Sequence, residues 1–221
     1  MQKRPGFVRS LPFALFIGIM ALDPLLVRLL PDGFDIRWLY GVRCSLVLLA
    51  LVFLWKHYAE LTDPTKARGT DWALGVGVGV VVFVLWVKLD FQPLALAPGE
   101  GFDPRDGADL NLGLVAVRLA GATLLVPVME ELFWRSFIFR WLRHSNFLSI
   151  DPADAGLRAL VISSALFATE HRLWFAGLLA GLAYGWLYKR SKNLWVPILA
   201  HAVTNGLLGV YVLRTGSWIF W

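Results

Sequence analysis

Cysteine is almost missing from this chain: Cys44 stands alone among 221 residues, so no disulfide can form within it. Cys44 lies inside an apolar segment and reads as a packing residue rather than a nucleophile. Charge is scarce too. Asp, Glu, Lys and Arg make up 17% of the residues, where a soluble domain carries about 25%. That shortage, with apolar runs longer than a soluble core uses, excludes an ordinary water-soluble domain. The formal net charge of +5 has no basic aromatic platform or base-reading motif behind it, which argues against nucleic acid. The basic residues sit instead in short loops between apolar segments, as topology signals and contacts to lipid headgroups.

What is present is apolar and aromatic: 57% of residues are hydrophobic, with 11 Trp and 15 Phe. A membrane-crossing helix needs roughly 20 mostly apolar residues. In lipid, an open chain satisfies its backbone only by forming helices. The expected fold is therefore all-α, a polytopic transmembrane bundle of about seven to eight helices.

The expected segments are about 11–30, 38–58, 72–89, 112–142, 157–171, 173–188 and 194–213. The first follows Lys3, Arg4 and Arg9 and resembles a signal peptide, but no small-x-small cleavage site follows, so a retained helix is expected. Arg43 can snorkel near the start of the second. In the third, Gly75, Gly77 and Gly79 resemble a dinucleotide loop only superficially and read as helix packing. Residues 92–111 form the longest extramembrane loop. The fourth segment is too long for a straight crossing, and Pro127 is expected to kink it. In the sixth, Gly177, Gly181 and Gly185 recur every fourth residue, a stripe suited to close helix contact. Basic loops alternate with less basic ones, which places the N-terminus in the cytoplasm. We expect a single membrane domain over 1–221, with scaffold helices in 1–111 and catalytic helices in 112–213.

Ionisable residues within such segments are expensive, roughly 2.5–3.5 kcal/mol for an acid at a helix centre on the insertion scale. Glu130 and Glu131 stand side by side in the fourth segment. Residues four apart share a helix face and neighbours differ by about 100°. Glu131 and Arg135 can therefore pair, while Glu130 points elsewhere without a local cation. His171 closes the fifth segment, four residues after Phe167, and His201 has Asn205 one turn later. Each site alone also suits plain interhelical packing; together they fall at one depth, some 10–20 Å from the basic loops at ~1.5 Å per residue. Asp23, Lys88, Asp90 and Glu170 read as helix-end or interface groups.

Glu130-Glu131-x-x-x-Arg135, Phe167-x-x-x-His171 and His201-x-x-x-Asn205 resemble the motifs of the CAAX-protease and bacteriocin-processing family of intramembrane endopeptidases. The stretch Met129–Arg135 further resembles a bacterial subgroup associated with exosortase systems. The first half of the chain matches that family only in being hydrophobic, and the family core often has eight helices. The resemblance implies that Glu130, aided by His171, activates water, and that His201 and Asn205 stabilise the oxyanion. Glu131, Arg135 and Phe167 would support them. It implies a peptide or lipidated protein tail as substrate, membrane lipid as surroundings, and a bacterial inner membrane as location. No cofactor is favoured; were zinc used, its candidate ligands are Glu130, His171 and His201. A non-proteolytic membrane binding or immunity protein of the same fold, or a proton-coupled transporter, are the alternatives. The absence of two related halves speaks against the transporter.

Overall fold

The computed structural model describes residues 4–96 and 101–221, and the side chain of Lys66 is outside the description. Seven long helices run in chain order: α1 Pro5–Leu29, α2 Leu39–Leu54, α3 Gly69–Lys88, α4 Leu112–Phe139, α5 Gly156–Ala168, α6 Trp174–Ser191 and α7 Trp195–Thr215. Short 3₁₀ turns join several of them. A two-stranded hairpin, β1 Arg105–Asp106 with β2 Asp109–Leu110, sits between α3 and α4. Within the expected loop 92–111, residues 97–100 lie outside the described part, as does Lys3 at the N-terminus.

Five of the helices are long and apolar enough to cross a membrane: α1, α2 with its flanking turns, α3, α4 and α7. Their outer faces carry large apolar side chains, such as Phe53, Leu112 and Leu124, that water would reject and lipid accepts. The chain is a multi-pass integral membrane protein. The two remaining helices, α5 and α6, pack against each other and against this group, with Leu157, Val161 and Trp186 left exposed on their outer faces.

Small residues set which helices touch. A Cβ on Gly79 would lie 2.4 Å from the Ala200 carbonyl oxygen, and one on Gly75 would lie 3.1 Å from that of Val196, so α3 and α7 meet backbone to backbone. A Cβ on Gly181 would lie 2.9 Å from the Ser164 Cα, and one on Gly185 would lie 2.4 Å from a Leu160 methyl, so the glycine stripe seats α6 against α5. Gly75 and Gly79 in α3 and the α6 stripe pack as expected in lipid, where helices associate through close packing, whereas Gly77 faces open space.

Three expectations change. The break expected at Pro127 appears as a π-helical stretch, Gly121–Leu125, just before it, and a second one follows at Leu132–Phe139. The wider turn accommodates a ring that carries no amide hydrogen. Arg43 does not snorkel, and Asp23 is no helix-end group: they pair at 3.0 Å between α1 and α2, because an opposite charge within reach costs less than a lone one in lipid. Arg9 is more than a topology signal. Its side chain is wholly buried and donates to both carboxylate oxygens of Glu60, at 2.7 and 2.6 Å.

Candidate active site

The two glutamates of α4 take different roles at once. Glu131 is fully buried; its Oε2 lies 3.1 Å from Arg135 Nε, one turn on, and its Oε1 lies 3.0 Å from His201 Nδ1 on α7. The pairing with Arg135 follows the helical spacing. The bond to His201 does not, because it joins positions 70 residues apart. Glu131 therefore ties α4 to α7 as well as supporting its own helix. Arg135 completes the arrangement by lying 4.4 Å from the Phe167 ring centre and 5.4 Å from that of Tyr184. An aromatic face offsets part of the cost of burying a guanidinium.

Glu130 turns away from that cluster, as neighbouring helical positions must. Its Oε2 is buried and without a hydrogen-bond partner, 3.9 Å from His201 Nε2. Glu130 has no cation along its own helix, as expected, and across the bundle α7 brings the His201 ring beside it.

His201 is thus held from one side and offered from the other. Glu131 engages Nδ1, Tyr184 stacks on the ring at 5.1 Å and 21°, and Nε2 faces Glu130. Tyr184 is anchored in turn. Its hydroxyl meets that of Thr204 at 2.7 Å, and Thr204 Oγ1 lies 2.9 Å from the Gly79 carbonyl on α3.

His171 does not close α5. That helix ends at Ala168, and His171 follows in the turn, where its own amide donates to the Ala168 carbonyl at 3.2 Å. The ring Nδ1 lies 3.0 Å from the Phe167 carbonyl. A carbonyl only accepts, so Nδ1 carries a hydrogen and Nε2 is left as the acceptor of a neutral ring. Phe167 at 4.6 Å and Trp86 at 5.1 Å hold the imidazole edge and face. Asn205 spends one amide hydrogen on the Ala122 carbonyl, at 2.8 Å, which leaves a second N–H and its carbonyl oxygen.

Glu130, His171, His201 and Asn205 all line one cavity of about 310 Å³, and Phe167 forms part of its wall. Residues of the first half line it too, among them Phe16, Met20, Tyr40 and Trp86. Sequence reading missed Tyr184, Thr204 and Trp86, whose roles come only from packing across the bundle. Glu170 reads from the sequence as an interface or capping group that, beside His171, could touch the site. The structure puts Glu170 in the cavity wall, accepting from Trp134 Nε1 at 3.1 Å.

Zinc needs at least three protein donors converging at about 2.0–2.2 Å. Among the described residues no three His, Cys, Asp or Glu side chains are arranged to hold a metal ion. As arranged, the candidate set Glu130, His171 and His201 does not form a zinc site.

Comparison with known proteins agrees with the motifs. Residues 112–207 match the family model described as type II CAAX prenyl endopeptidase Rce1-like. The chain is similar to the Bacillus subtilis (strain 168) protein named "Putative membrane peptidase YdiL", 32% identical over 102 residues. The match covers 45% of this chain and 39% of that relative, so the chain spans less than half the relative's length. No solved structure matches. The matched stretch holds all three motifs, from Glu130 to Asn205, so the second half of the chain is similar to the CAAX-protease and bacteriocin-processing family over the residues that carry them.

Proposed function

We propose that this protein is an intramembrane endopeptidase that hydrolyses a peptide bond in a membrane-associated or lipidated protein tail. The observation that carries this reading is one cavity, inside a membrane bundle, lined by an unpartnered carboxylate, two imidazoles and a carboxamide. The division of the chain follows from it. Helices α4 to α7 carry the chemistry, while α1 to α3 serve as scaffold and complete the cavity wall. The basic loops put the N-terminus in the cytoplasm, and the family points to a bacterial inner membrane.

The chemistry starts at Glu130. Its free oxygen accepts a proton from a water molecule, and His171 Nε2 orients that water as a second acceptor. The water oxygen bonds to the scissile carbonyl carbon, and the carbonyl oxygen becomes an oxyanion. In its protonated form, with Nδ1–H donated to Glu131, His201 donates Nε2–H to that oxyanion beside the second N–H of Asn205. The C–N bond then breaks, and the proton held by Glu130 passes to the leaving nitrogen. Glu131 fixes the tautomer and aim of His201, as the aspartate does for histidine in a hydrolytic triad. No step requires a metal.

The test uses the protein in liposomes with a fluorogenic lipidated tail peptide and a degenerate peptide pool read by mass spectrometry. Native protein is expected to release fragments, with or without a zinc chelator. His171→Ala is expected to slow release by about 10²–10⁴-fold, the usual contribution of a positioned acid–base group. Loss of activity on chelation would transfer the chemistry to a metalloenzyme. Absence of any cleavage from either substrate set would favour a binding role for the cavity.

A further inference from the structure

The catalytic cavity has a second end, and it is basic. Arg118 and Arg43 line it together with Tyr40 and the chain's closing aromatics, Phe220 and Trp221. Arg43 is neutralised by Asp23 at 3.0 Å. Arg118 is not: among the described residues no carboxylate pairs with it, and its buried Nε has no acceptor. It lies 4.3 Å from the Tyr40 ring centre and 5.3 Å from that of Phe102, contacts that hold the guanidinium in place without neutralising it. A cation within a membrane helix that lacks a counter-charge is costly and marks a site whose partner is supplied from outside.

The opposite end supplies the rest of the pattern. Glu130 and Glu170 line it, twelve residues further along in the case of Glu130, so the two ends are about 18 Å apart along α4. An extended peptide covers that span in roughly five residues at ~3.3 Å each. Cleavage at Glu130 leaves a downstream fragment with a new ammonium group at the acidic end. A carboxylate on the same fragment would reach the basic end. Both ends of the cavity then match the charges of one product.

We infer that Arg118 is a specificity-determining residue that binds a carboxylate of the substrate peptide four to six residues downstream of the scissile bond. The favoured source is the peptide's own C-terminus; an Asp or Glu side chain at the same distance offers the same chemistry. This rests on the peptidase reading. It adds that substrate choice is set by an anion at the far end of the cavity.

Two degenerate peptide pools of equal sequence, one ending in a free acid and one in an amide, are supplied to the protein in nanodiscs. Products are read by mass spectrometry. The acid pool is expected to be cut about 10–100-fold more than the amide pool, as a charge-assisted hydrogen bond allows. Cuts should cluster four to six residues from the end. Arg118→Gln should remove that preference, and Arg118→Lys should keep part of it. Amide peptides cut only where an acid side chain stands at that distance would identify the side-chain source. Equal cleavage of both pools by native protein, or a preference that survives Arg118→Gln, would overturn the assignment. The native comparison stands even if Arg118→Gln fails to fold. Retention of both pools on immobilised Glu130→Gln protein separates the two readings. Acid-selective retention without cleavage by native protein supports the Arg118 subsite and overturns the peptidase. Cleavage with unselective retention does the reverse, and neither retention nor cleavage overturns both.

Discussion

Two clusters of buried charge lie in this bundle, and they differ in what each leaves over. Near the basic loops, Arg9 donates to Glu60 at 2.6 Å, and Arg140 reaches the same carboxylate at 3.4 Å. Ser136 joins them: its hydroxyl donates to Glu60, and Arg140 Nη2 donates to its oxygen at 2.8 Å. Arg9 also donates to the His57 carbonyl at 3.1 Å. Every charge there faces an opposite one. Deeper in, Glu131 bridges Arg135 and His201, but both terminal nitrogens of Arg135 lack an acceptor, and Glu130 beside them keeps a buried oxygen without a hydrogen-bond partner. A saturated network holds helices together. An unsaturated one holds helices together and leaves a group able to act.

The comparison can be broken first at its saturated end. Glu60→Ala leaves two buried guanidinium groups without their carboxylate, and loss of one partner from such a pair costs about 3–5 kcal/mol. A large drop in thermal midpoint in detergent is expected, with cleavage per folded molecule retained. Glu131→Gln should cost both properties. Arg135 loses its carboxylate and His201 its aim, so we expect about 1–3 kcal/mol of destabilisation with at least a tenfold loss of kcat. A variant that lost stability alone would show that Glu131 is only a strut.

Packing gives a smaller effect. Gly79→Ala puts a methyl against the Ala200 carbonyl, one residue before His201. Pushing α7 outward should cost roughly 1–3 kcal/mol and displace the imidazole enough to reduce kcat about 10-fold, since misplacement of about 1 Å can cost 10²-fold. Unchanged activity would mean that α7 tolerates a shift at the site.

The pH response should be smallest near neutrality. Burial alone would raise the Glu60 carboxyl, but the hydrogen bonds from Arg9, and then from Ser136, outweigh it and hold the group below its ordinary value of 4.5. A carboxyl depressed on folding adds stability above its unfolded value and loses it as pH falls through the folded one. Thermal midpoints followed downward should therefore stay level to about pH 4.5 from this group and fall below it. In Glu60→Ala that part of the acid slope should vanish.

Much of this was legible in the residues themselves. The five membrane-crossing helices follow from apolar length, and the contacts of Gly79 and Gly181 follow from small-residue spacing. The Glu131–Arg135 pair follows from helical geometry. What spacing could not give is whatever crosses the bundle. The bond from Glu131 to His201, the stacking of Tyr184 and the burial of Arg9 against Glu60 join positions with no local relation. His171 shows a subtler limit: four-residue spacing from Phe167 implied one helix face, yet the helix ends at Ala168 and the ring turns back onto the Phe167 carbonyl. Nothing in the spacing singles out Arg118; its neighbours across the bundle are rings rather than carboxylates.

The most direct measurement compares Glu130→Gln with Glu60→Ala in the same liposomes, reading cleavage per folded molecule alongside the thermal midpoint. Opposite outcomes are expected: Glu130→Gln loses about 10²–10⁴-fold in cleavage at a near-native midpoint, while Glu60→Ala melts early but cuts at the native rate while folded. Cleavage that persists in Glu130→Gln, or the two variants losing activity and stability together, would contradict it.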